Sequence, residues 1–128
     1  MVSPKREFGD LGEALASKYL IERGYKIIGS NYLKPWGEID LITKKGDQIV
    51  FFEVKTRDSK NVTHFSPEQS VNSSKKRKLQ KTCETYLLER SFPQDQEWQI
   101  DVLALSIEKE SGMFHVEHFE NVVWESRY

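Results

Sequence analysis

The sequence predicts a single α/β domain across residues 1–128, in which helices flank a mixed five-stranded sheet. Three observations predict this fold. Two segments repeat their apolar residues at helical spacing, five segments are rich in β-branched and aromatic residues, and turn residues separate these segments. The second helical segment is long enough to return the chain to a parallel strand. The expected order is α-β-β-β-α-β-β.

The first helix is expected to end near Gly24, because glycine commonly terminates helices. The large apolar residues Phe8, Leu11, Leu15 and Tyr19 recur at helical spacing, and we expect them to face the core. The first strand should follow directly and cover residues 25–33.

Glu13 stands in this helix among small and apolar neighbours. Small neighbours allow a carboxylate to approach another element closely. The sequence leaves two interpretations open, a solvated surface acid or an acid that reaches a functional site.

The second and third strands are expected to form a hairpin within residues 36–57. The Lys-Lys-Gly-Asp stretch at residues 44–47 supplies the turn, and β-branched and aromatic residues lie on either side of it. The remaining elements are a helix from residue 72 or 73 to about residue 90, a strand over residues 98–107 and a closing strand over residues 113–119. The second helix carries the apolar stripe Leu79, Cys83, Tyr86 and Leu87.

Charged residues interrupt both strands of the predicted hairpin where apolar residues would be expected. Side chains alternate between the faces of a strand, so Glu53 and Lys55 share one face. A loop centred on residues 45 and 46 would place Asp40 opposite Phe51 and Glu38 opposite Glu53. The three acids and Lys55 would then line the same face of two neighbouring strands.

Three carboxylates on one face repel one another, and burying them without a counter-charge is costly. Lys55 is one candidate for that counter-charge, and a divalent cation is another. Mg²⁺ takes oxygen ligands from one or two carboxylates, waters and substrate phosphates.

The second helix begins with the densest basic cluster of the chain. Cations at the start of a helix oppose the helix dipole, so helix stability does not explain them. Two interpretations remain, a solvated face or contact with the phosphates of a nucleic acid. The cluster consists of Lys75, Lys76, Arg77, Lys78 and Lys81.

Composition limits the remaining possibilities. The net charge is −1 at pH 7, so any nucleic-acid footprint must be local. The single cysteine, Cys83, excludes an intramolecular disulfide and a cysteine-rich zinc site. No apolar run approaches the roughly 20 residues that span a bilayer, and the N-terminus lacks the apolar segment of a signal peptide. We expect a cytoplasmic protein without a membrane partner.

These residues carry a family resemblance. Asp40 followed by Glu53-Val54-Lys55 on the next strand, with an acid in the preceding helix, resembles the PD-(D/E)XK nuclease pattern. That superfamily includes restriction endonucleases and archaeal Holliday-junction resolvases. Nearly the whole chain resembles the YraN-like family of bacterial proteins, through three blocks that are specific in combination. They are G-x-x-G-E-x-x-A-x-x-Y-L at residues 9–20, G-E-I-D-L-I at residues 37–42 and V-F-x-E-V-K-T-R at residues 50–57.

The resemblance implies a restriction-endonuclease-like core and a role for each residue that matches the pattern. Asp40 and Glu53 would hold Mg²⁺ or Mn²⁺, with the carbonyl of Val54 as a further ligand. Lys55 would orient or activate the attacking water and stabilise the charged phosphate. Glu13 would complete the site through a bound water.

The resemblance also implies a substrate and an assembly. The substrate would be a nucleic acid, with structured or branched DNA as the expected class, and the start of the second helix would contact its backbone. Junction-cutting enzymes often need two copies, which leaves a homodimer open. Gln69 and Lys75 flank the basic stretch and are expected to reach the scissile region. Glu38 is either a spare ligand or a strand-edge acid, and Arg57 is a further candidate. The fourth strand departs from the expected pattern, because Gln99 stands where an arginine is expected.

Three functions from different classes are consistent with the sequence. The first is a metal-dependent nuclease, and the second is a nucleic-acid-binding protein that keeps the nuclease fold but is catalytically silent. The third is a structural or partner-binding protein whose acids form internal ion pairs, such as Glu53 with Lys55 or Arg57.

Overall fold

The computed structural model describes the backbone of residues 4–61 and 73–122, and the side chains of residues 6–60 and 74–122. Its first half holds helix α1 (Pro4–Glu22), strands β1 (Lys26–Lys34), β2 (Gly37–Lys45) and β3 (Gln48–Asp58), and a 3-10 turn (Ser59–Asn61). Its second half holds helix α2 (Ser73–Glu89) and strands β4 (Trp98–Ile107) and β5 (Phe114–Phe119). The predicted order of elements is confirmed.

The five strands form one sheet in the order β1-β2-β3-β4-β5. Strand β4 runs parallel to β3, and the other neighbouring pairs are antiparallel. Helix α2 lies between β3 and β4 in the chain and makes the crossover that a parallel pair requires. The mixed sheet predicted from the crossover is therefore present.

Two apolar clusters cover the two faces of the sheet. Helix α2 contributes its predicted stripe to one cluster, where Leu79, Cys83 and Tyr86 pack with Phe51 of β3. Helix α1 contributes to the other cluster, which contains Phe52. Because Phe51 and Phe52 are consecutive and both fully buried, β3 is the central strand of the domain.

Three of the four large apolar residues of α1, namely Phe8, Leu15 and Tyr19, pack against the core as predicted, and Leu11 does not. Leu11 is 46 % exposed, whereas Ala16 and Leu20 are completely buried. Gly12, one turn before Ala16, lies so close to β3 that a Cβ atom built on it would stand 1.9 Å from the Thr56 hydroxyl oxygen. The helix faces the sheet with its small residues because only these permit such a close approach, and the large apolar side chains flank the contact.

The register of the hairpin also differs from the prediction. Lys45 pairs with Gln48, so the loop is the two residues Gly46 and Asp47, with Gly46 at a φ of 60°. Ile42, and not Asp40, is the partner of Phe51. The turn lies one residue later than expected because the left-handed position falls on glycine, where it costs least.

None of the helices within the described ranges has the length and apolar character that crossing a bilayer requires.

Candidate active site

The alternation of side chains along β2 slips at Asp40. Ile39 and Ile42 both belong to the apolar cluster of α2, while Leu41 between them belongs to the cluster of α1. Strict alternation would place Ile39 and Leu41 on one face. The ladder between β1 and β2 skips the position opposite Asp40, which is Asn31 with a φ of 50°. Asp40 is therefore the irregular residue of its strand.

The irregularity directs the Asp40 carboxylate toward β3. Backbone pairing of β2 with β3 ends at Leu41 and Phe52, although both strands continue beyond that point. There Asp40 Oδ2 accepts a hydrogen bond from the backbone N–H of Val54 at 2.7 Å. A residue in a strand directs its N–H and its C=O to the same side, so the Val54 carbonyl faces the same gap. The gap thus holds a carboxylate and a backbone carbonyl.

The environment of Asp40 disfavours its charge. Burial raises the pKa of the carboxyl from 3.8 to about 7, the Val54 hydrogen bond opposes that rise, and the charges of Glu13, Glu53 and Glu38 add to it. Four acids from α1, β2 and β3 therefore lie within electrostatic reach of one another. Repulsion of this kind is relieved when a cation binds.

Glu53 lies on the α2 face of β3 and is surrounded by two lysines. Its Oε1 atom lies 3.1 Å from Lys55 Nζ and 2.6 Å from Lys75 Nζ. Its Oε2 atom is buried without a hydrogen-bond partner among the described residues. A buried carboxylate oxygen without a donor is costly, so Oε2 is an open ligand position.

Lys75 was predicted to belong to the basic cluster and to reach the scissile region, and its ammonium lies in the acidic cluster. Burial disfavours the charged form, yet hydrogen bonding to Glu53 and the nearby Asp40 charge raise the pKa of Lys75 above the ordinary lysine value. Lys55, on the same face of β3, is the second ammonium group of the cluster.

Glu13 reaches this region from the opposite helix. Burial raises the pKa of its carboxyl, a hydrogen bond with the Asn31 side chain lowers it, and Glu38 and Asp10 raise it further. Of the two interpretations that the sequence left open, a half-buried acid beside Asp40 is the one found. Asn31 was not singled out from the sequence as a site residue. Its place in a Gly-Ser-Asn stretch within a strand was the available signal, because asparagine tolerates a positive φ.

The remaining predicted site residues lie at different distances from this centre. Glu38 is exposed, and although the alternation slips at Asp40, Glu38 lines the same small pocket as Glu53 and Lys75. Arg57 is half-buried near the end of β3. Gln69 and most of the loop predicted between β3 and α2 lie outside the described residues.

The other basic residues of α2 divide into two groups. Arg77 and Lys78 are exposed, and Lys76 is half-buried. Lys81 places its ammonium 4.4 Å from the centroid of the Trp36 ring, a cation–π contact. A small pocket of about 110 Å³ lies between these residues and the acidic cluster, and its lining includes Trp36, Glu53, Lys75 and Lys78. The basic surface of α2 therefore continues directly into the acidic centre.

Within the described residues, ligand atoms close enough to hold a metal ion together are found in a different group of side chains. Ligand atoms of Asp101, His118 and Glu120 lie within 4.8 Å of one another. The buried Asp101 carboxylate, however, already accepts hydrogen bonds from Gln99 Nε2 at 2.8 Å and from the backbone N–H of Asn121 at 2.9 Å, and its second oxygen lies 2.7 Å from His118 Nε2. Asp101 is thus the centre of a clamp that joins β4 to β5 and to the residues after it.

Comparison with known proteins assigns the sequence to a family. The sequence profile described as "Uncharacterised protein family UPF0102" matches residues 12–105. The chain belongs to the UPF0102 family. The resemblance to the YraN-like family, which is the same family, is thereby confirmed. The matched segment of UPF0102 includes every residue of the acidic cluster described above.

Curated UPF0102 proteins resemble this chain over most of their length. One from Syntrophomonas wolfei is 42 % identical over 119 residues, which cover 91 % of this chain and 96 % of that protein. One from Thermodesulfovibrio yellowstonii is 41 % identical over 117 residues, covering 90 % and 94 %. One from Chloroflexus aurantiacus is 39 % identical over 106 residues, covering 83 % and 84 %. The similarity therefore extends over both helices and the sheet.

Proposed function

We propose that this protein is a divalent-metal-dependent nuclease that hydrolyses phosphodiester bonds in structured or branched DNA. The observation that carries the proposal is the buried, unpartnered Glu53 Oε2 in a cluster where the pKa of Asp40 is raised to about 7. Among the described residues, the two lysines beside Glu53 contact its Oε1 atom and leave Oε2 without a partner. A hard divalent cation would bind there through the type of oxygen ligand that it prefers.

The residues at the gap between β2 and β3 fit such an ion. Glu53 offers Oε2, Asp40 offers the carboxylate that faces β3, and Val54 offers its backbone carbonyl on the same side. These ligands suit Mg²⁺ or Mn²⁺, since all are oxygens and few are charged. When bound, the metal would lower the pKa of a water molecule and neutralise charge on the phosphate.

Lys55 would act on the substrate from beside Glu53. Its ammonium lies 3.1 Å from Glu53 Oε1 and is about one-third exposed, so it is held in place yet accessible. The ammonium of Lys55 would contact the nonbridging oxygens of the scissile phosphate and orient the attacking water. An ammonium fixed where negative charge develops stabilises a transition state more than the ground state.

Glu13 would hold a water molecule on the α1 side of the cluster. The Asn31 side chain favours the charged form of the Glu13 carboxyl and lowers its pKa. The exposed basic residues of α2 would track the phosphate backbone outside the centre, where contacts with Lys and Arg do not depend on sequence. DNA that departs from a regular duplex is the expected substrate because of the resemblance to junction resolvases.

The test is a cleavage screen over branched, single-stranded and duplex DNA with Mg²⁺, Mn²⁺ or EDTA. We expect metal-dependent cleavage, greatest on branched DNA. Asp40→Ala and Lys55→Ala should each reduce the rate by about 10²-fold or more, because each removes a charge that acts at the reacting phosphate. Lys44→Ala is the matched control, since Lys44 is an exposed lysine of the same hairpin and lies at its other end.

Three outcomes would reject the proposal or a part of it. Full cleavage by Lys55→Ala would remove Lys55 from the mechanism. Salt-sensitive DNA binding without cleavage under any metal would identify a silent nucleic-acid-binding protein. If Asp40→Asn changes the melting temperature but Mg²⁺ does not change that of the wild type, the acids serve internal ion pairs, of which Glu53 with Lys55 is the observed example.

A further inference from the structure

Lys75 makes the shortest ion-pair contact of the acidic centre. Its Nζ atom lies 2.6 Å from Glu53 Oε1, whereas Lys55 Nζ lies 3.1 Å from the same oxygen. Both lysines therefore share one oxygen of the carboxylate, and the other oxygen is the buried atom without a partner. The ammonium of Lys75 stands beside the open ligand position of Glu53.

The position of Lys75 on α2 is unfavourable for the helix itself. It is the third residue of Ser73–Glu89, and a cation in the first turn opposes the helix dipole. The contact with Glu53 gives the ammonium a negatively charged partner at this position. The Glu53 side chain is 12 % exposed and that of Lys75 is 41 % exposed. The carboxylate is thus fixed in the interior, while the ammonium retains a path to solvent.

The metal-free and metal-bound states differ in which cations balance the charge of Glu53 and Asp40. Without a metal, Lys55 and Lys75 are the cations in contact with Glu53, beside an Asp40 whose charge is disfavoured. A divalent cation at Glu53 and Asp40 would introduce two positive charges next to both ammonium groups. Lys55 lies on the same strand as Glu53, whereas Lys75 comes from α2 and its side chain is 41 % exposed.

We propose that Lys75 is the internal counter-ion of Glu53, which a divalent cation displaces and which then binds a phosphate of the nucleic acid. The inference rests on the proposed metal-dependent nuclease function. It assigns Lys75 a role different from the other basic residues of α2, because its ammonium competes with the metal before it assists the substrate. The pocket beside it, which Trp36 and Lys78 also line, gives the released side chain space next to the basic surface of α2.

Calorimetric titration with Mn²⁺ tests the competition directly. We expect Lys75→Met to bind Mn²⁺ roughly tenfold more tightly than the wild type, since the metal no longer displaces or faces this ammonium. Arg77→Met is the matched control, because it removes the same charge from the same turn at an exposed position. Its affinity should stay within about twofold of the wild type. Lys75→Arg, which keeps the charge, should bind Mn²⁺ with close to wild-type affinity.

The second measurement is cleavage at saturating metal. Lys75→Met should be slower than Lys44→Met, which changes an exposed lysine at the far end of the hairpin, by about tenfold or more, since a phosphate contact next to the reacting group is lost. Tighter metal binding combined with slower turnover is expected if Lys75 leaves Glu53 when the metal binds and then contacts the substrate phosphate. A structure with bound Mn²⁺ should show that the 2.6 Å contact between Lys75 and Glu53 is broken.

The outcomes separate this inference from the proposed function. If Lys75→Met binds Mn²⁺ with unchanged or reduced affinity, while wild-type binding requires Asp40 and Glu53, the counter-ion role is wrong and the nuclease proposal stands. If the wild type binds no Mn²⁺, both are wrong. If Lys75→Met binds more tightly but no variant cleaves any DNA, displacement is supported and nuclease activity is rejected.

Discussion

At the scale of single residues, Asp40 shows how a site is built against the ordinary rules of a strand. The acid inside an Ile-Asp-Leu-Ile run is half-buried, and the acids Glu13, Glu38 and Glu53 lie near it in space. The carboxylate accepts a hydrogen bond from the backbone N–H of Val54, which favours its charged form. Burial outweighs this bond, so the charged form of Asp40 costs folding free energy in the metal-free protein.

A pH-dependent stability follows from this cost. The pKa of Asp40 is about 7 in the folded protein against 3.8 ordinarily, so the folded state holds more protons between these values. The contribution is present at low pH and lost as pH rises through about 7. We expect metal-free Asp40→Asn to be more stable than the wild type by about 2–4 kcal/mol at pH 8. Below pH 4 the difference should nearly vanish.

Urea denaturation in EDTA at several pH values measures this difference. Asp47→Asn provides the control, because Asp47 is an exposed acid in the turn of the same hairpin. A constant difference between Asp40→Asn and the wild type from pH 4 to pH 8 would contradict the prediction.

At the scale of elements, the approach of α1 to β3 sets the position of Glu13. Gly12 contacts Thr56 where any larger residue would overlap it, and Glu13 is the next residue along the helix. The close contact brings the Glu13 carboxyl within electrostatic reach of Asp40. A helix held farther from the sheet would leave the same acid in solvent.

Gly12→Ala tests this contact. The added Cβ would lie 1.9 Å from Thr56 Oγ1 and 2.8 Å from Thr56 Cβ, so the helix or the strand must move. We expect a loss of about 1–3 kcal/mol in the free energy of unfolding, as for overpacked cores. Gly9→Ala, whose Cβ would have nothing within 4 Å, should gain about 0.5–1 kcal/mol from helix propensity. Equal effects of the two substitutions would show that the close approach of α1 to β3 does not depend on Gly12.

The clamp at Asp101 holds β4 to β5 through hydrogen bonds. Its carboxylate is completely buried and receives hydrogen bonds from Gln99, from the Asn121 backbone and from His118. Asp101→Ala leaves these groups without their acceptor, and we expect a loss of about 2–4 kcal/mol. Asp95→Ala, in the exposed loop before β4, serves as the control in the same denaturation series. A loss below about 1 kcal/mol would mean that the clamp is replaced by other contacts.

At the scale of the whole molecule, charge is arranged locally and not globally. The net charge is −1, yet acids gather where β2 and β3 separate and basic residues gather along α2 beside them. A nearly neutral protein can bind a polyanion only through such a local surface. The salt dependence of DNA binding then reports how many of its residues contact phosphates.

We expect Lys76, Lys78 and Lys81, replaced together by glutamine, to weaken duplex DNA binding at every sequence. The slope of log K against log salt should become shallower by about 2–3, because each lost phosphate contact removes close to 0.9. The measurement is fluorescence anisotropy over a range of NaCl concentrations.

A triple variant of equal charge provides the control. Lys18, Lys26 and Lys44 are exposed lysines outside α2, and their replacement by glutamine should leave the slope unchanged. If the two triple variants alter the slope equally, binding depends on overall charge and the α2 surface has no special role.

The sequence by itself determined the order of elements, the parallel crossover and which acids and lysines are candidates. These predictions rest on local properties, which can be recognised from the sequence alone. They are the hydrophobic periodicity, the turn residues and the spacing of Asp40, Glu53 and Lys55. The stripe of α2 was predicted correctly for the same reason.

The tertiary structure alone decided which residues of α1 lie closest to the sheet, the slip at Asp40 and the contact of Lys75 with Glu53. Each of these depends on how closely two distant segments approach, and helical or strand periodicity carries no information about that distance. A buried carboxylate is satisfied by whichever cation or N–H the fold brings to it, so its partners are fixed only when the helices and the sheet have packed together.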